Sequence, residues 1–251
     1  MSIDYTRIGK PGKLVNDTQA MSSANLTGNY RVMLAHDEFF KMMLRLNSLA
    51  IGKIFLAILV TVLCLRSDHG GLLFLGFISF IISIFMVIKY LTTYTFHNLY
   101  YSANVYKFGC LLPAIIVKLD PLVIGVSAEL QKSSDESALF GLQYFIIESA
   151  PLANFKVGEI LPCVAFFEDD YGKFGHWLGV NPRPLSWGTD DPKAIQCAID
   201  AIPQEEWRYL RSMVALRPEE LVGNRVALFD QQLVYQKTIV KGTGELVQTD
   251  A

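Results

Sequence analysis

The stretch GGLLFLGFISFIISIFMVI, Gly70 to Ile88, runs for 19 residues without a charge. At ~1.5 Å per residue, a helix of that length covers the ~30 Å hydrocarbon core of a bilayer. Lys89 and Tyr90 close it, residue types that settle at a membrane interface. Upstream, Leu46 to Leu65 is a second apolar run of 20 residues whose one charge, Lys53, lies about two turns in and can snorkel to the headgroups. Only Arg66-Ser67-Asp68-His69 separates the two. Two spans with so short a link form a hairpin whose ends lie on one side. Buried helices of a soluble core are usually shorter and carry a polar stripe. In the second run the relief is confined to serine and glycine, and Gly71, Gly76, Ser79 and Ser83 are where another helix can approach closely.

Charge follows the same division. The net charge of −2 is the sum of +6 over residues 1–119 (11 Lys+Arg, 5 Asp+Glu) and −8 over residues 120–251 (11 Lys+Arg, 19 Asp+Glu). Lys41, Arg45 and Lys53 flank the first span, Lys89, Lys107 and Lys118 follow the second, and the link holds one Arg. The positive-inside rule then places both termini in the cytoplasm. An acidic C-terminal half lacks the basic footprint that nucleic acid requires. Residues 1–30 contain no early apolar region, so no cleavable signal peptide is expected.

Residues 1–32 read as a flexible tail, and residues 33–46 as an amphipathic helix on the membrane surface feeding the first span. The tyrosines of residues 90–106 suit an interface. From about residue 110 the pattern changes to short strands rich in β-branched and aromatic residues. They are 111–118, 122–130, 140–148, 159–168 and 174–180, with a hairpin tip at 168–173 and turn residues at 132–135. Pro113 and Pro162 point to sheet edges or bulges. Asp191-Pro192 opens a helix to Ala201, Pro203 opens another to about residue 216, and a further strand is possible at 232–240. The expected architecture is an α+β membrane protein, with a two-helix transmembrane hairpin (spans about 46–65 and 70–88, within residues 33–103). A small antiparallel β-barrel-like domain with C-terminal helices, about 191–201 and 203–216, fills residues 104–251.

Chemistry is sparse. Phosphate-loop, dinucleotide, zinc-protease and serine-hydrolase motifs do not occur. The four histidines, 36, 69, 97 and 176, form no ligand set, and Cys64, Cys110, Cys163 and Cys197 are widely spaced, as free thiols would be. No catalytic residue, metal or cofactor is expected. The acid pairs Asp169-Asp170, Asp190-Asp191 and Glu205-Glu206 fall at turns and helix starts, where capping and the helix dipole account for them. One segment, His176 to Trp187, is dense in chemistry: His176, Trp177, Asn181, Arg183 and Trp187 stand among prolines. It reads as a binding groove with Arg183 holding a carboxylate or a partner loop. The reading preferred to it is a strand-to-helix crossover whose tryptophans plug the core, since prolines and aromatics commonly stiffen such corners.

A series of short motifs adds one resemblance: Asn104-Val105, Pro113 to Val117, Val157-Gly158-Glu159, His176-Trp177, Pro182-Arg183-Pro184, Thr189 to Pro192 and Ile202 to Trp207. In that order, over roughly residues 100–210, they resemble an uncharacterised bacterial family catalogued as a domain of unknown function. The resemblance implies bacterial origin and an unassigned activity and supplies no catalytic residue; together with the spans, it makes the bacterial inner membrane the expected location. The function expected is a membrane-anchored, non-enzymatic adaptor or accessory subunit. Its partners would be the lipid bilayer and a protein or second copy of the chain, met through the spans or the acidic domain. The rival is a membrane-tethered small-ligand receptor or enzyme using residues 176–187.

Overall fold

A computed structural model describes residues 3–10, 22–67, 69–92, 102, 104–131, 138–147, 155–168, 175–216, 223–241 and 243–246. Outside them lie residues 11–21 of the expected tail, Tyr94, His97, Tyr100, Tyr101, the turn residues 132–135 and residues 169–173 of the expected hairpin tip. The chain forms two compact units, Glu38–Ala103 and Met1–Asp37 with Asn104–Ala251.

The first unit is the hairpin. Helix α2 spans Glu38–Leu65 and α3 spans Gly70–Thr92. Mean hydropathy reaches 2.4 and 2.7 in their most apolar windows, of which only 6% and 11% is buried. The core helix of a soluble protein would be mostly covered. Here Phe55, Phe74 and Phe85 stand 67%, 66% and 68% exposed, as lipid-facing rings would be. Polar groups turn inward instead. Thr61 Oγ1 donates to Ser79 Oγ (2.9 Å), and Tyr90 Oη donates to Asn47 Oδ1 (2.8 Å). Ser83 is buried and donates to Ser79 O. A Cβ placed on Gly76 would come within 3.0 Å of Cys64 and Leu65, whereas one on Gly71 would meet nothing within 4 Å. Gly76 and Ser79 are thus contact points inside the hairpin, between α2 and α3.

The second unit is built on an antiparallel seven-stranded sheet: β1 Cys110–Leu119, β2 Leu122–Glu129, β3 Phe140–Ile147, β4 Ile160–Glu168, β5 Gly179–Pro184, β6 Arg225–Phe229 and β7 Tyr235–Val240. The spatial order is β5-β4-β1-β2-β3-β6-β7. Three strands separate β5 from β3, which in a flat sheet would hold them ~19 Å apart. Yet Val180 N–H on β5 donates to Gln143 Oε1 on β3 at 3.0 Å. The sheet is therefore curled into a half-barrel. Gly179 allows the approach, with φ +151° and Gln143 Nε2 only 2.6 Å from where a Cβ would stand. Lys241, just past β7, completes the curl by reaching Glu168 (3.4 Å) on β4 and Asn181 on β5. Helix α4 (Pro192–Ala201) packs on β4, and α5 (Gln204–Leu216) lies across β1, β2 and β3.

Three expectations need correction. The N-terminal residues belong to the fold: Ser22 O accepts from Leu111 N–H, Leu26 N–H donates to Tyr106 O, and Ala24 and Leu26 are buried. The helix read at 33–46 is broken. Helix α1 (Tyr30–His36) is capped by Asn29 and ends at Asp37, whose backbone is extended, and Met33 is buried within the domain. The fifth strand starts at Gly179, not 174, and β6 had no sequence reading, because five residues give too short a period to register.

Because Gly76 faces Cys64 and Leu65, Gly76→Leu should overpack the hairpin and lower the stability of the detergent-solubilised chain by about 1–3 kcal/mol. Gly71→Leu should be neutral, and equal melting losses for both variants would show that Gly76 is no contact point.

Candidate functional site

The site begins with a proline. Along β1, the even residues turn their amides to β4: Ile116 N–H donates to Glu159 O, just before that strand. Odd residues therefore face β2, and Pro113, which has no N–H, comes where β2 needs a donor. The β1–β2 ladder stops at Ala114↔Val126. Beyond it Leu111 gives its N–H to Ser22 O instead (2.8 Å), and Ser23 bridges Cys110. Pro113 pairs with Pro162 across β4, so two residues lacking donors face each other where neither has to give a bond. This corrects the sequence reading: β1 is central, and Pro113 marks the point where two neighbouring strands part.

A cleft of about 310 Å³ lies in that parting. Leu111 and Leu112 of β1 line one wall, and Ser127, Ala128 and Glu129 of β2 line the other. Ser22, Phe140 and Phe167 add to the sheet side. Ile202, Pro203, Glu206 and Tyr209, from the start of α5 and the link before it, form the roof. Phe140 and Tyr209 rings meet at 5.1 Å. Among the described residues the lining includes two carboxylates and no Lys, Arg or His.

That composition shows in the electrostatics. Burial, aided by repulsion from Glu129, pushes the Glu206 carboxyl up to about 7. Burial raises Glu129 as well, against a hydrogen bond from the Gln131 side chain that favours its ionised form. The pair holds a proton near neutrality. Elsewhere the domain pairs its buried charges. Asp37, fully buried, accepts from Arg183 Nη1 (3.1 Å) and Tyr106 Oη (2.9 Å). The phenol of Tyr106 is held well above its ordinary value by burial and by Asp37. Cys110 and Cys163 are buried free thiols whose ionisation is suppressed, Cys110 up to about 12. They are poor nucleophiles.

The residues singled out from the sequence separate. Arg183 points inward to Asp37, Trp187 is core, and Asn181 sits at the sheet edge with Glu168 and Lys241. His176 and Trp177 come closest to the cleft: His176 bridges Gln131, Trp177 N–H donates to Leu130 O, and its ring meets Phe167 at 5.7 Å. Sequence reasoning assigned Glu206 to the helix dipole. A usable signal existed, because Glu206, Leu210 and Met213 recur at i, i+4, i+7 and so share the packed face of α5. Among the described residues, no group of three or more His, Cys, Asp or Glu could hold a metal.

Residues 100–217 match the family described as "Protein of unknown function (DUF3239)". An uncharacterised domain family is what the motif order pointed to, over nearly the same residues. The matched residues cover β1 to β5, α4 and α5, and with them all of the described cleft lining except Ser22. A crystal structure of a presumed membrane protein from Corynebacterium diphtheriae is 25% identical and covers 44% of this chain and 95% of its own, with a TM-score of 0.37. A search of curated proteins finds no match.

Two outcomes follow. Arg183→Met strands a fully buried Asp37 and should cost about 3–5 kcal/mol by denaturant melting, with part recovered in Asp37→Leu/Arg183→Met. An unaltered single variant would remove the pair from the scaffold. For Glu206 the folded carboxyl, at about 7, lies above the unfolded one near 4.5. The folded state binds the extra proton between those values, so stability falls as pH rises through that window, by on the order of 2 kcal/mol. Glu206→Gln should flatten this slope and raise Tm at pH 8; an unchanged slope would place the proton elsewhere.

Proposed function

We propose that the protein is a membrane-anchored binding protein whose cytoplasmic α+β domain holds a small molecule in the cleft between β1, β2 and α5. The observation that carries it is a carboxylate pair with no basic partner among the described lining residues, in a cavity of about 310 Å³, a size within the range of small-ligand pockets. Two exposed apolar helices supply the anchor. The basic residues flanking the spans favour both chain ends in the cytoplasm.

A second reading, the adaptor, draws on a different observation. The balance of −8 over residues 120–251 suits a basic protein partner. Native mass spectrometry of the full chain in mild detergent separates the two. The receptor reading expects an adduct of small-molecule mass that is lost in Ser127→Phe, a change that fills the cleft. A stoichiometric second protein and no small adduct would overturn it in favour of the adaptor. For the topology, a Cys at Ser67 should react with an impermeant reagent on intact cells, and one at Ala251 only after lysis. The reverse pattern would invert the orientation.

A further inference from the structure

We infer that the cleft binds a small organic cation, an alkyl- or arylammonium, between Glu129 and Glu206. This rests on the reading of the cleft as a ligand site and names the class of ligand. Asp37, the one fully buried acid among the described residues, has Arg183, and the half-buried Glu168 has Lys241. The cleft acids come from different elements, Glu129 from the end of β2 and Glu206 from the first turn of α5, and among the described residues no basic side chain shares the lining with them. A charge deficit inside a cavity attracts a cation from outside.

The walls select among cations. A metal site gathers several strong ligands, and among the described residues no group of three or more His, Cys, Asp or Glu could hold one. This lining offers two carboxylates and the hydroxyls of Ser22, Ser127 and Tyr209, set among Leu111, Leu112, Ala128, Phe140, Phe167, Ile202 and Pro203. Apolar walls and three aromatic rings match the carbon part of an organic ammonium, whose charge the ring faces also attract. At ~30 Å³ per water-sized group, a volume of about 310 Å³ takes on the order of ten non-hydrogen atoms. The raised carboxyls fit the same account. A cation that needs them ionised must displace their proton, so binding should strengthen with pH through the neutral range.

The test uses the full chain in detergent, titrated with butylammonium, 1-butanol and butyrate, with Tm and calorimetry as readouts. Butylammonium should raise Tm saturably at pH 8, bind roughly tenfold or more weakly at pH 5.5, and lose its effect in Glu129→Gln/Glu206→Gln. The double variant should itself melt no lower than the parent at pH 8, so loss of binding is not loss of fold. If 1-butanol or butyrate binds as well as butylammonium, and Ser127→Phe abolishes it, the cation class falls while the cleft stands as a ligand site. If none of the three probes binds and native mass shows no adduct, both fail. Repeating the titration in nanodiscs with and without phosphatidylethanolamine assigns the ammonium. Competition by that lipid points to a headgroup and its absence to a free ligand, and either result upholds the cation.

Discussion

A carboxylate taken out of water must find a cation or keep a proton, and this domain meets that constraint in two ways. At Asp37 it supplies the cation. The chain leaves the domain there for α2 and returns at Asn104. Arg183 from β5 and Tyr106 from the returning helical turn both close on Asp37. Gly188 makes room, since a Cβ there would lie 2.4 Å from the Tyr106 ring. Thus the exit, the return and the edge strand are fastened to one buried side chain. At Glu129 and Glu206 no cation is supplied by the described residues, and a proton stays instead. The first arrangement builds the scaffold, while the second leaves a charge for something else to answer.

The cleft owes its existence to backbone chemistry rather than to bulky side chains. Pro113 withholds the amide that would have continued the β1–β2 ladder, and Ser22 takes the next one. Two central strands therefore separate while remaining paired to β4 and β3 on their outer sides. Curling of the sheet, held by Gln143 and Lys241, keeps the parted strands beneath α5.

Much of this was legible in the sequence, unevenly. An uncharged run of 19 residues has few physical interpretations, so the hairpin was plain. Four strands and both C-terminal helices followed from local composition and capping, since Asp191 and Pro192 act within one turn. What failed depends on distant partners. Residues 22–29 are mostly polar and aperiodic, and they are ordered by Tyr106, Gly188 and Leu111, which lie far along the chain. Pro113 looked like an edge because its pairing with Pro162 is tertiary. Glu206 looked like a dipole partner because its position in the first turn of α5 suffices for that role, and nothing local reveals Glu129 beside it. Arg183 drew notice as a holder of a ligand's carboxylate or a partner loop, whereas the carboxylate it meets is Asp37, 146 residues away.

The central claim is that Glu206 keeps a proton in the folded protein at a pH where an exposed glutamate has lost it. Infrared difference spectra of the full chain against Glu206→Gln, recorded across the neutral range, read that carboxyl directly. The account predicts a protonated-carboxyl band belonging to Glu206 that disappears with a midpoint near 7. A carboxylate already ionised at pH 5.5 would contradict it, and the cleft would then hold an ordinary solvated acid.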